Sequence, residues 1–126
     1  MSRVFLLLLL TPTLFFLSCQ KEAGKGGQAK ITGKVVHHDK PIPFASVFIH
    51  YGSLEAPGNK PSDYQDSTRA DEQGHFEFKD LHKGRYYLYS TGWDGLWTPP
   101  SVVFGGVPAE IFQRKEAVEI TLPVSE

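Results

Sequence analysis

From residue 29 onward, apolar and polar residues alternate with the period of two that sends successive side chains to opposite faces of a strand. In residues 29–36, Ile31, Gly33 and Val35 share one face and Lys30, Thr32 and Lys34 the other. Residues 37–41 read as a turn. In residues 43–51, Ala45, Val47 and Ile49 point inward and Phe48 and His50 outward. Residues 52–66 hold Pro57, Gly58, Asn59 and Pro61 and no periodic apolar face. That exceeds the usual length of a connection and marks a functional loop or an insertion. A short strand at 67–70 and a turn at 71–74 lead into residues 75–79, with Phe76 and Phe78 on one face. After a second turn at 80–84, residues 85–92 give the clearest alternation: Tyr86, Leu88 and Ser90 against Tyr87, Tyr89 and Thr91. Residues 93–106 read as loop, with a further strand conceivable at 101–104. Residues 117–122 close the series, Val118, Ile120 and Leu122 alternating with Glu119 and Thr121. Residues 108–116 are where a helix is least strongly excluded. Short strands separated by Gly, Pro and Asp predict an all-β sandwich or barrel.

The N-terminus has a different pattern. Arg3 precedes an apolar run over residues 4–17 that Pro12 interrupts. A positive residue followed by a short apolar stretch is the layout of a secretory signal, and the run falls short of the ~20 residues of a spanning helix. It ends in FLSC at 16–19, which resembles the lipobox of bacterial lipoproteins, with Phe16 in place of the usual Leu. The resemblance implies cleavage before Cys19 and a diacylglyceryl group on its sulfur. Cys19 is the only cysteine, so no intramolecular disulfide can form. The Gly-rich polar stretch up to residue 28 has the composition of a flexible tether. Lys21-Glu22 after the cysteine looks like a surface-export signal of Bacteroidetes lipoproteins, and Gln20, not being Asp, favours the outer membrane. The expected organisation is a signal over 1–18, a lipidated cysteine and tether over 19–28, and one domain over 29–126. The expected place is the cell envelope, lipid-anchored to the outer membrane on its periplasmic face or at the cell surface.

Removing residues 1–18 from 126 leaves 108, enough for one domain with its own core. Arg3 goes with the signal, so 12 basic residues face 14 acidic ones. Such a surface offers no footprint for nucleic acid and no polybasic patch for anionic lipid.

Four segments in order, ITGKV at 31–35, PIPFASV at 41–47, DEQGHFEF at 71–78 and LHKGRYYL at 81–88, resemble the carboxypeptidase regulatory-like domain. The resemblance covers about residues 29–95. It implies a seven-stranded, antiparallel or mixed Greek-key sandwich of the prealbumin (transthyretin) type, and a non-catalytic accessory, adhesive or spacer role. Gly33 would let two backbones approach closely. The 52–66 loop and everything after Gly95 depart from the family.

The search for chemistry agrees with a non-enzyme. There is no nucleophile elbow and no phosphate-binding loop. His37, His38, His50, His75 and His82 lack a known ligand spacing and read as solvated turn or edge residues, so no metal and no cofactor is expected. His37 and His38, as neighbours, would point apart on a continuing strand. Asp63, Asp66, Asp71 and Glu72 lack the spacing of a calcium loop. The only asparagine, Asn59, lies in the long loop, which disfavours a Lys–Asn crosslink of the kind related adhesin repeats form. Two readings of function remain. One is a structural or accessory lipoprotein module contacting an envelope protein. The other is a carbohydrate- or peptide-binding module using Trp93, Trp97, Tyr87 and Tyr89, with Phe48 beside them, since rings stack on sugars and anchor interfaces.

Overall fold

The computed structural model describes residues 22–96 and 98–126. Cys19, the signal and Trp97 lie outside the described residues. Eight strands follow in order: β1 Lys25–His37, β2 Lys40–Pro41, β3 Ser46–Tyr51, β4 Asp66–Arg69, β5 His75–Leu81, β6 Gly84–Asp94, β7 Ser101–Ile111 and β8 Ala117–Pro123. They form two sheets. In the first, β1 pairs antiparallel with β5 and β2 and parallel with β8. The second has the order β4-β3-β6-β7, all antiparallel. The chain is therefore an all-β sandwich with one parallel pair. It has seven strands of four or more residues and a two-residue β2, one strand beyond the seven expected.

The core is where the alternation puts it. Ile31 and Val35 of β1, Val47 and Ile49 of β3, Phe76 and Phe78 of β5, Tyr86 and Leu88 of β6, and Leu122 of β8 are all buried in one cluster. Each fully buried aliphatic side chain contributes ~1.5–3 kcal/mol relative to exposure. Gly33 has a different role from the expected backbone approach. It is paired with Phe76 on one side and Ile120 on the other. A Cβ there would lie 2.5 Å from Phe76 Cζ and 2.9 Å from Ile120 Cγ1, so the missing side chain makes room for two others. Tyr86 ties the sandwich end together: its hydroxyl donates to the His82 carbonyl at 2.6 Å and accepts from the Gly24 amide at 2.8 Å. Burial raises its pKa above the usual phenol value despite that amide.

Several boundaries differ from the sequence expectation. β1 begins at Lys25, so residues 25–28, assigned to the tether by composition, run in a strand beside Leu81. Phe44 takes φ +59°, so β3 starts only at Ser46. The largest correction is β7. Residues 101–111, expected as loop to 106 with a strand allowed at 101–104 and a helix least excluded over 108–116, pair along their whole length with β6. Pro108 is tolerated because β7 is the end strand of its sheet.

Candidate functional site

The outward positions of the second sheet carry the rings. Register places Trp93 opposite Val102, Thr91 opposite Phe104, Tyr89 opposite Gly106 and Tyr87 opposite Pro108 across β6 and β7. On the other side of β6, Phe48 faces Tyr89 and His50 faces Tyr87. Partners directly opposite share a face, and diagonal neighbours lie within reach of an aromatic ring. One sheet face thus gathers Phe48, Tyr87, Tyr89, Trp93, Val102 and Phe104.

This face has a covered half and an open half. The 52–66 loop folds back over the covered half. Its Tyr64, only 9 % exposed, stacks on Tyr89 at 5.8 Å and 16° and lies 5.9 Å from Phe48. The Tyr64 hydroxyl donates to the Gly58 carbonyl at 2.9 Å. Gln65 holds the loop end by accepting from the Tyr51 amide at 2.8 Å, and its Oε1 is 3.1 Å from His50 Nδ1. Burial, then the neighbouring Tyr87 and Tyr89 hydroxyls and Asp63, push the Tyr64 phenol up to about 12. Tyr87 is half-buried over β7, where a Cβ on Gly106 would meet its hydroxyl at 2.4 Å. Tyr87 and Tyr89 are therefore half-buried packing residues.

The open half is at the far end of β6 and β7. Trp93 is 57 % exposed, Val102 65 % and Phe104 44 %, and Leu96 in the adjoining turn is 78 % exposed. The turn is fixed by the Leu96 amide, which donates to Asp94 Oδ1 at 3.0 Å. Large exposed apolar side chains scattered singly are ordinary, whereas a contiguous group marks a contact surface. Of the four residues expected from the sequence, Trp93 belongs to this group. Tyr87 and Tyr89 border it, and Trp97 lies outside the described residues. Val102 and Phe104 were hidden because Gly105, Gly106 and Pro108 obscure the strand that aligns them with Trp93. Tyr64 was hidden because nothing local shows where a long loop will fold.

A concavity of about 460 Å³ opens over the other sheet, lined in part by Thr32, His75, Glu119 and Thr121. It is separate from the exposed row. The histidines differ from the expectation of solvated residues in one case: His37 is 2 % exposed. His38 and His75 are exposed, and His50 and His82 half-buried.

No family profile and no curated protein sequence matches the chain. Among solved structures, it is similar to a "putative carbohydrate binding protein" from Pseudomonas aeruginosa. The identity is 14 %, the match covers 80 % of this chain and 91 % of that one, and the TM-score is 0.54. A DUF3823 family protein from Parabacteroides merdae matches at 19 % identity, over 77 % of this chain and 45 % of that one, with a TM-score of 0.48. The chain spans less than half the length of that second protein. The first likeness shows a shared sandwich fold.

Proposed function

We propose that this chain is a non-catalytic, lipid-anchored envelope protein whose sandwich binds extended carbohydrate on the exposed row Trp93, Val102 and Phe104. The observation that carries the reading is the row itself: large apolar side chains left in water on two strands paired along their length. A flat aromatic surface suits a sugar ring, whose apolar faces stack on indole and phenyl groups. Strands hold such a surface more rigidly than loops do. The description of the Pseudomonas protein as carbohydrate binding agrees with this use of the fold. The ordered motifs at 31–35, 41–47, 71–78 and 81–88 support the narrower assignment to the carboxypeptidase regulatory-like, prealbumin-type sandwiches.

Anchoring rests on the N-terminal sequence. Cleavage before Cys19 and acylation of its sulfur would tether the domain to the outer membrane, since two or three chains bind firmly where one is marginal. Labelled palmitate tests it: the wild type incorporates label and Cys19→Ala does not. Equal labelling of the two would refute the anchor.

The binding claim is tested by affinity electrophoresis of the full chain in detergent through gels holding soluble bacterial and plant polysaccharides. At least one polysaccharide retards the wild type, and Trp93→Ala and Phe104→Ala run unretarded in it. Retardation that survives both substitutions, or none in any gel, refutes the carbohydrate reading. The second reading, an accessory module against an envelope protein, draws on the same apolar row. It predicts a protein crosslinked at Phe104 in intact cells.

A further inference from the structure

Four residues from three distant parts of the sequence meet where β1 ends. β1 and β2 are joined by the two-residue turn of His38 and Asp39, with φ +52° and +66°. Two successive left-handed residues are what the tightest hairpin turns require, and they are normally Asn-Gly or Gly-Gly. Here two ordinary side chains hold that sparsely populated conformation, which persists where its surroundings demand it. The turn cancels the alternation that would send neighbouring side chains apart. The His37 and His38 rings therefore sit together, centroids 4.1 Å apart.

A carboxylate stands at each ring nitrogen of His37. Its Nδ1 lies 2.6 Å from Asp94 Oδ2, with the imidazole N–H donating to the carboxylate. Its Nε2 lies 3.0 Å from Glu126 Oε2. Glu126 is brought there by the chain before it. The Val124 amide donates to the Val36 carbonyl at 2.9 Å, and Ser125 and Phe104 exchange two backbone hydrogen bonds at 2.9 and 3.0 Å. One ligand atom each from His37, His38 and Glu126 lies within 4.8 Å of the others.

We propose that His37, His38 and Glu126 form a binding site for a zinc-class divalent cation, with Asp94 as the positioning residue that orients His37. The proposal is independent of carbohydrate binding. Two imidazoles and a carboxylate are ligands of the type that borderline cations of this class take. Zn–N and Zn–O bonds of about 2.0–2.2 Å put tetrahedral ligands roughly 3.3 Å from one another. The Nε2–Oε2 separation of 3.0 Å is already close to that. His38 and Glu126 are exposed and can close the remaining distance, while the buried His37 stays fixed. A carboxylate on the far nitrogen of a liganding histidine selects the tautomer and turns the ring toward the metal, and Asp94 stands at that place.

The test is calorimetric titration of zinc chloride into the untagged full chain in detergent after chelator treatment. The wild type gives one saturable event near one equivalent, and zinc raises its thermal midpoint because only the folded chain offers the site. Asp94→Asn weakens binding by about 10–100-fold, the usual effect of losing an orienting partner. His38→Ala and Glu126→Gln alter exposed side chains, leave folding intact, and weaken binding at least as much. Absence of saturable binding to the wild type overturns the proposal, as does binding that is unchanged in both His38→Ala and Glu126→Gln.

Discussion

Replacing Tyr64 separates the ring that covers the sheet from the hydroxyl that pins the loop. Tyr64→Phe removes only the hydrogen bond to Gly58, a loss of ~1 kcal/mol. Tyr64→Ala removes the ring as well. Truncating a core aromatic costs ~3–5 kcal/mol. Tyr64 lies on the outside of the sheet, against Phe48 and Tyr89 that keep some exposure, so about 2–3 kcal/mol is expected. The ring alone then contributes about 1–2 kcal/mol, equal to the hydroxyl or up to twice as large. Urea unfolding of the wild type and both variants measures the two terms. The phenol also predicts an alkaline limb. A pKa raised from 10.0 to about 12 means that the folded state keeps a proton the unfolded chain has lost. The stability this supplies is whole below pH 10 and disappears as pH rises toward about 12. Tyr51 and Tyr86, also raised by burial, act in the same direction, so Tyr64→Phe flattens the limb without abolishing it. Both variants unfolding within ~0.5 kcal/mol of the wild type would refute the packed loop.

Gly33→Ala forces a methyl group against Phe76 and Ile120. Overpacking costs ~1–3 kcal/mol and the stiffer unfolded chain returns ~0.5–1, so a net loss of ~0.5–2 kcal/mol is expected in urea, partly recovered by Phe76→Leu. Asp71 accepts from the His75 amide at 2.9 Å and the Gln73 amide at 2.8 Å, chiefly the former holding its carboxyl below the usual 3.8. Its contribution is present above pH 3.8 and lost as pH falls through the lowered value, so Asp71→Asn has a shallower acid limb in urea midpoints against pH. Trp93→Ala, at an exposed position, leaves the urea midpoint within ~0.5 kcal/mol of the wild type while sugar retardation is lost.

The sandwich was legible wherever a strand keeps one face in the core. The alternations at 31–35 and 85–92 name buried residues correctly because burial on one side is what selects them, while in 117–122 only Leu122 is fully buried and Val118 and Ile120 are half-buried against the core. β7 escaped because its pattern is set by neighbours. Gly106 is small where Tyr87 lies, and Gly105 is small where a Cβ would meet the Pro123 carbonyl at 2.4 Å. Both look like loop glycines until their partners are known. The seam between His37 and Asp94 spans 57 residues and depends on a turn in which His38 and Asp39 take positive φ, which no local rule predicts for those residue types. Trp93 could be named from composition, but its platform could not, because Val102 and Phe104 join it only through the β6–β7 register.

Whether the exposed row holds sugar is most directly settled by NMR titration of the full chain in detergent with an oligosaccharide from the polysaccharide that retards it most. The account predicts saturable shifts in the Trp93 indole N–H, assigned with Trp93→Phe, and in the backbone amides of 102–104. Shifts confined to the sheet of β1, β5 and β8, or none at saturating sugar, would contradict it.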